Sequence, residues 1–287
     1  MSLLSNFKAP KGKTFVEFDY AQLEIRVLAV ASMDDTLISD INSGRDMHRY
    51  FASKIFSTPE SEITKEQRKV SKGFSFQLQY GAGARSIADH WGVDISLAKK
   101  FIQEYTSRYG GVAAWQNSVE DYAKSTMDYR GDIDPDSNES MPSCLIPSIW
   151  TDSKTGRPVT HYRALADKSK WTEFGRALNV STDRETYKVP RTRCKNFPIQ
   201  GAASDIVMLM MSRLDKMSDD LRLINTVHDS FLALAEAAHV HTAIEGGVDI
   251  LTSVPDVLKN TFHVASPVEF PVDYSHGGTL EEVKLKG

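Results

Sequence analysis

The 287-residue chain has only two cysteines, Cys144 and Cys194. Two are too few for a disulfide framework, so stability has to come from a packed core, and a reducing compartment is expected. Long apolar runs are lacking as well. The start of the chain, Met1 to Lys8, does not carry the apolar stretch of a secretory leader, and no segment reads as a bilayer span. No internal repeat is present, which excludes solenoids and propellers. An excess of positive charge is also missing: 34 Lys and Arg face 38 Asp and Glu, for a net charge of −4. Bulk charge therefore gives no support to nucleic-acid binding, and any basic surface has to be local. What remains is an ordinary globular composition, 41% hydrophobic and 25% charged, sufficient for one or two lobes with a sizeable core.

The chain is best read outward from Phe15-Val16-Glu17-Phe18-Asp19-Tyr20-Ala21-Gln22-Leu23-Glu24-Ile25-Arg26. Phe15, Val16 and Phe18 predict a strand, and Leu23, Val27 and Val30 recur at helical spacing. Asp19 falls where the strand stops. A carboxylate there either projects into a cleft from a fixed backbone or simply caps the next helix. A second acidic position lies far away in sequence. Leu223 to Leu234 reads as two short strands joined by a tight turn at His228-Asp229.

Between these two positions lies a helix with an unusual stripe. Thr64 followed by Gln67 is a capping box, and behind it Arg68, Lys72, Phe76 and Tyr80 recur every four residues, followed by Gly81. Steps of four drift by only about 40° on a helix, so the four side chains share one slowly turning face. A triphosphate would meet Arg68, Lys72 and the positive helix end, and a base would stack on Phe76 or Tyr80. The plainer reading is a helix with mixed surface charge and two core aromatics. Upstream, Asp46 caps a helix running toward Ile55, and His48 follows it.

Residues 96–127 predict two amphipathic helices broken at Gly110-Gly111, and residues 128–143 read as a solvated loop. A hairpin is expected over 145–163, with its turn at Asp152 to Arg157. Lys188, Arg191, Arg193 and Lys195 form a basic run of the kind that tracks phosphates. Asn196-Phe197-Pro198-Ile199-Gln200-Gly201 then starts a helix through about Met217. A helix from about Ala237 to Leu251 and a last strand, Val268 to Tyr274, complete the chain.

Taken in order, these motifs resemble family A DNA polymerases, the group of bacterial DNA polymerase I and phage T7 polymerase. The family's first palm motif usually reads Asp-Tyr-Ser-Gln-Ile-Glu-Leu-Arg; here it runs Asp19 to Arg26, with Ala21 as a departure. The stripe from Arg68 to Gly81 resembles the fingers helix, with Lys69 where many members carry a second Arg. Asp46-x-His48, Asn196-x-Pro198-x-Gln200-Gly201 and Val227-His228-Asp229 also match. Thr192 stands in place of the family's Arg, and Ser230 in place of its Glu. The resemblance covers about 1–127 and 188–275.

The resemblance implies an α+β fold, with an antiparallel palm sheet and an inserted helical fingers subdomain, as in a right-hand polymerase lacking thumb and exonuclease. Residues 1–39 and 188–287 would form the palm, 40–127 the fingers, and 128–187 a loop and hairpin region joining them. It further implies template-directed DNA synthesis, with two Mg²⁺ ions held by Asp19, Asp229 and the Tyr20 carbonyl, and with Lys72 joining the two aspartates as a catalytic residue. Gln22, Glu24, His48, Arg68, Lys72, Phe76 and Tyr80 would bind the dNTP. Arg26, Tyr80, Arg191, Arg193, Asn196, Gln200 and His228 would contact DNA. The implied partners are primer-template DNA, dNTPs and an N-terminal polymerase portion bearing the thumb, as a separate chain or a missing segment. The expected location is cytoplasmic, in the host cytoplasm if the chain is phage-encoded. Three other classes compete. A metal-dependent nuclease has no need of the stripe, and a binding-only subunit has no need of the carboxylates. A single-subunit RNA polymerase is disfavoured by Glu24, where the family places a side chain that blocks a ribose 2′-hydroxyl. The catalytic half of a split polymerase, inactive without its partner, is the remaining alternative.

Overall fold

A computed structural model describes residues 3–79, 81–133, 140–169, 186–217 and 220–283. Strand β1 (Lys13–Tyr20) leads into α1 (Leu23–Ser32). Six helices follow: α2 (Asp35–Asn42), α3 (Met47–Phe56), α4 (Lys65–Gln79), α5 (Ala84–Trp91), α6 (Ile95–Arg108) and α7 (Gly110–Ser125). Next come β2 (Asp128–Ile133), β3 (Ser140–Pro147), β4 (His161–Leu165), β5 (Asp167–Ser169) and β6 (Thr186–Lys188). The long α8 (Arg191–Leu214) precedes β7 (Leu221–Val227), β8 (Ser230–Glu236), α9 (Val240–Thr252), α10 (Val254–Phe262) and β9 (Val272–Gly277). Helices and antiparallel sheet together make an α+β fold. Two compact units divide the chain, one of Met1–Val30 with Gln200–Gly287 and one of Ala31–Ile199.

The first unit is built on a four-stranded antiparallel sheet in the order β7-β8-β1-β9. Alternation along β1 buries Val16, Phe18 and Tyr20, and along β8 it buries Phe231, Ala233 and Ala235. Fully burying a side chain such as Phe18 stabilises the fold by about 2–3 kcal/mol. Helix α9 packs closely on this face. A Cβ on Gly247 would fall 2.6 Å from Phe18, so glycine sets the approach. The Tyr20 hydroxyl donates to the Leu251 carbonyl at 2.8 Å. Glu17 and Asp19 therefore point to the opposite, partly open face.

The second unit is mainly helical, with a core of edge-packed aromatics: Phe51, Phe74, Phe101, Tyr105 and Tyr109. Two buried aspartates fasten its helices. Asp34 caps α2 through the Leu37 amide, and its second oxygen accepts from the Gly111 and Val112 amides at the start of α7. A Cβ on Gly111 would lie 2.9 Å from that oxygen, which is why glycine stands there. Asp40 accepts from Arg108 through both oxygens, at 2.8 and 2.6 Å, and from the Tyr109 hydroxyl at 2.8 Å.

Several sequence expectations are corrected. Residues 128–143 are not simply a loop: β2 and the start of β3 pair there, and Met141 and Ser143 are buried. The polar composition concealed a pairing that depends on a partner edge and not on composition alone. The hairpin turn stands as read, with the Asp152 amide donating to the Arg157 carbonyl at 2.8 Å, but its strands lie at 140–147 and 161–165. Helix α8 begins at Arg191, not near Pro198, so the basic run is largely helical. Pro198 forgoes one backbone bond, and burial of Cys194, Pro198, Ala202, Ile206, Met210 and Leu214 at four-residue steps outweighs that loss. The last strand starts at Val272 because Pro271 cannot donate to a ladder. Helix α10 was not anticipated. Among the described residues, no helix is long and apolar enough to cross a membrane.

Candidate active site

Strand register brings the two distant carboxylates together. Asp19 is the last-but-one residue of β1 and pairs with Ser230, next to Asp229 in the β7–β8 turn. The backbone locks this meeting, because the Tyr20 amide donates to the Asp229 carbonyl at 3.4 Å. A two-residue hairpin needs a positive φ at its first position, and His228 supplies it at 56°. The turn that leaves β1 just after Asp19 is shaped in the same way: Gln22, with φ 59°, reverses the chain into α1. Ser57 and His263, two other non-glycine residues with positive φ, end helices. Gln22 and His228 instead flank the two carboxylates, where local strain is more often tied to function.

The electrostatics are unfavourable by construction. Burial raises the Asp19 carboxyl to about 6, and Asp229, Glu17 and Asp273 push in the same direction. Asp229 is also raised, chiefly by burial, against its own backbone amide and His228. Asp273 is a residue that the sequence reading missed. It stands directly opposite Asp19 on β9, on the same face. Its place in the sequence carried no such signal, because only the β1–β9 register sets it against Asp19. Among the described residues, no three His, Cys, Asp or Glu side chains converge to hold a metal by themselves.

Arg26 rises from α1, and its Nε and Nη1 donate to the carbonyls of Ala21 and Glu269, at 2.8 and 2.7 Å. It thus clamps the turn after β1 to the segment before β9. Glu24 lies in the first turn of α1 and Gln200 is exposed on α8.

In the helical unit, α4 opens with the expected capping box. The Thr64 amide donates to Gln67 Oε1 at 3.0 Å, and the Gln67 amide to Thr64 Oγ1 at 3.2 Å. Ser71, Phe74, Ser75 and Leu78 face the core, which leaves Lys72 and Phe76 exposed and Arg68 half-buried on the other side. The Lys72 ammonium sits 5.6 Å from the Phe76 ring centre, a cation–π contact. His48 lies beside this stripe, tilted against Phe76 at 6.2 Å and with Nδ1 3.4 Å from the Ser75 hydroxyl. Burial, with Arg68 and Lys72 nearby, lowers its pKa to about 4, so the ring is neutral at pH 7. Tyr80, the fourth member of the stripe, lies outside the described residues.

The basic run is more occupied than its sequence implied. Arg191 pairs with buried Glu120 at 3.1 Å, and Arg193 donates to the Leu165 carbonyl at 2.9 Å. Burial lowers the pKa of Lys195. Asn196 is half-buried on α8.

Residues 3–131 match the model of DNA polymerase family A. DNA polymerase I of Aquifex aeolicus is 28% identical over 240 residues, 80% of this chain and 34% of that protein. DNA polymerase I of Pseudomonas aeruginosa is 26% identical over 250 residues, 84% of this chain and 23% of that protein. The chain therefore spans about a third or less of the curated relatives it matches. A solved structure of the POL domain of Pol1 from M. smegmatis, in complex with DNA primer-template and dNTP, matches 98% of this chain and 42% of that one. Its TM-score is 0.69 and its identity 24%. The chain is thus similar to family A DNA polymerases over residues 3–131, and its fold is that of the matched POL domain.

Proposed function

We propose that this chain carries the centre for template-directed DNA synthesis, transferring a dNMP from a dNTP to a primer 3′-hydroxyl. The observation that carries the reading is the Asp19–Asp229 meeting: two carboxylates from distant segments, joined by the Tyr20 amide to Asp229 carbonyl bond and both raised by burial, Asp19 also by the charge of Asp229. Such a pair costs stability and is relieved by a cation.

The donor set fits Mg²⁺, which takes few protein oxygens and fills its shell from phosphates and water. Asp19, Asp229 and the Tyr20 carbonyl would hold it. When bound, Mg²⁺ supplies charge neutralisation and lowers the pKa of a coordinated hydroxyl. The chain's own groups do the rest. Arg68 and Lys72 offset charge on the triphosphate, and neutral His48 donates an N–H without adding a cation. The exposed face of Phe76 offers a surface for sugar and base. Glu24 would crowd a ribose 2′-hydroxyl. Gln200, Asn196 and His228 would contact primer and template. In this reading the sheet unit is the palm, and the helices from α3 to α7 are the fingers.

Primer extension by the chain alone, in Mg²⁺ at near-physiological salt, is the test. The expected outcome is incorporation that Asp19→Asn or Asp229→Asn each lowers by roughly 10³-fold or more. Near-normal turnover in either variant would refute the assignment. Extension only after adding a thumb-bearing polymerase portion would favour the split-polymerase reading.

A further inference from the structure

One carboxylate joins the two helices that carry the triphosphate-binding candidates. Asp46 Oδ1 accepts from the Arg49 amide at 3.0 Å and so caps α3, the helix from which His48 rises. Asp46 Oδ2 accepts from Arg68 Nε at 2.7 Å, on the first turns of α4. The connection between the helices is pinned separately: Arg49 Nη1 donates to the carbonyls of Glu60 and Ile63, at 2.8 and 3.1 Å. Burial pushes the Asp46 carboxyl up, but the Arg68 bond, the Arg49 amide and the Arg68 charge outweigh it, so the group stays charged.

This geometry fixes Arg68 by one edge. Its Nε is taken, and among the described residues its two Nη groups have no other partner. A guanidinium is a rigid planar fork, so a bond at Nε sets the direction of both Nη groups. Arg68 is 40% exposed and Asp46 36%, and pairs this accessible add little to stability. The bond is therefore better explained by what it orients than by what it stabilises.

We propose that Asp46 is a positioning residue for the incoming triphosphate, holding Arg68 with its Nη edge presented beside His48 and Lys72. This rests on the polymerase reading above. Asp46 itself does not touch the nucleotide, since a carboxylate facing phosphate would repel it. Its effect passes through Arg68, and through the α3 cap to His48.

The test compares Asp46→Asn, Asp46→Ser, Arg68→Ala and the double variant Asp46→Asn/Arg68→Ala. Asn and Ser both keep a capping acceptor but lose the charged acceptor for Nε. Melting temperatures establish that each variant is folded, and Asp46→Ser stands in if Asp46→Asn is not. Steady-state incorporation on a primer-template then gives KM for dNTP and kcat. Inorganic tripolyphosphate, used as a competitor, reports the phosphate part alone. Asp46→Asn is expected to raise KM and weaken tripolyphosphate inhibition, each roughly 10-fold, with kcat changed less than about 3-fold. The double variant is expected to match Arg68→Ala alone, because both lesions remove one interaction. An unchanged KM, a loss confined to kcat, or additive losses would overturn the proposal while leaving the polymerase reading intact. A wild-type chain that incorporates nothing, with or without a thumb-bearing portion, would refute the polymerase reading instead, and this inference with it.

Discussion

Three aspartates of the helical unit and Asp19 of the sheet unit live under opposite conditions. In the helical unit Asp34, Asp40 and Asp46 are each answered by helix amides, an arginine or both. In the sheet unit every influence resolved on Asp19 disfavours its charge: burial, Asp229, Glu17 and Asp273. The first group spends its charge holding helices together. The second keeps an unanswered charge on a rigid strand end, which is what a site awaiting a cation requires. Sequence alone does not separate the two groups, because all are aspartates near element ends. Their partners do.

The largest contrast in stability comes from neutralising one member of each group. Asp40→Ala leaves half-buried Arg108 without its two-point partner and the buried Tyr109 hydroxyl without its acceptor, and should destabilise by about 3 kcal/mol. Asp19→Asn should act with the opposite sign. A carboxyl raised from 3.8 to about 6 binds more protons folded than unfolded, so wild-type stability falls as pH rises through that window. Asn removes the penalty. The gain at pH 7.5 should be about 1 kcal/mol after discounting for solvent, vanishing below pH 4. Chemical denaturation at both pH values checks this. A stabilised Asp40→Ala or a destabilised Asp19→Asn would erase the distinction.

A pH slope tests His48, which sits between the two conditions: half-buried, yet beside cations. Its folded pKa of about 4 lies below the usual 6.5, so the unfolded chain takes up the proton first. Stability contributed by the neutral ring is complete above pH 6.5 and is lost as pH falls toward 4, by up to about 3 kcal/mol. His48→Gln should flatten the stability profile across that window. An unchanged slope would place the titration elsewhere.

How much of this was legible in the sequence follows from range. Local signals read correctly: the Thr64–Gln67 box, the Asp46 cap and the two-residue turn at His228-Asp229, while the break expected at Gly110-Gly111 falls one residue earlier, at Tyr109. Each is settled within a few residues. What failed depended on pairing. The polar stretch from Asp128 joins a sheet only because β3 offers it an edge, and Pro198 sits inside α8 only because a buried stripe runs past it. The site divides in the same way. Asp19 and Asp229 were visible as strand-end carboxylates, but Asp273 becomes relevant only through the β1–β9 register. The Asp46–Arg68 bond needs two helices brought side by side.

The smallest expected effect sharpens the comparison from the uncharged side. Thr64→Ala removes one half of the α4 capping box and leaves the Gln67 amide without its acceptor. A lost cap of this kind costs about 1 kcal/mol. Fraying would begin one turn before Arg68, yet Arg68 is also held from outside α4 by Asp46. If Asp46 is what orients the guanidinium, Thr64→Ala should lower the melting temperature slightly while the KM for dNTP moves less than about 2-fold. Asp46→Asn, which keeps a cap on α3, should do the reverse: little change in stability and a clear change in KM. A Thr64→Ala variant whose KM rises as far as that of Asp46→Asn would show that the helix end itself, and not the carboxylate bridging α3 and α4, sets the position of Arg68.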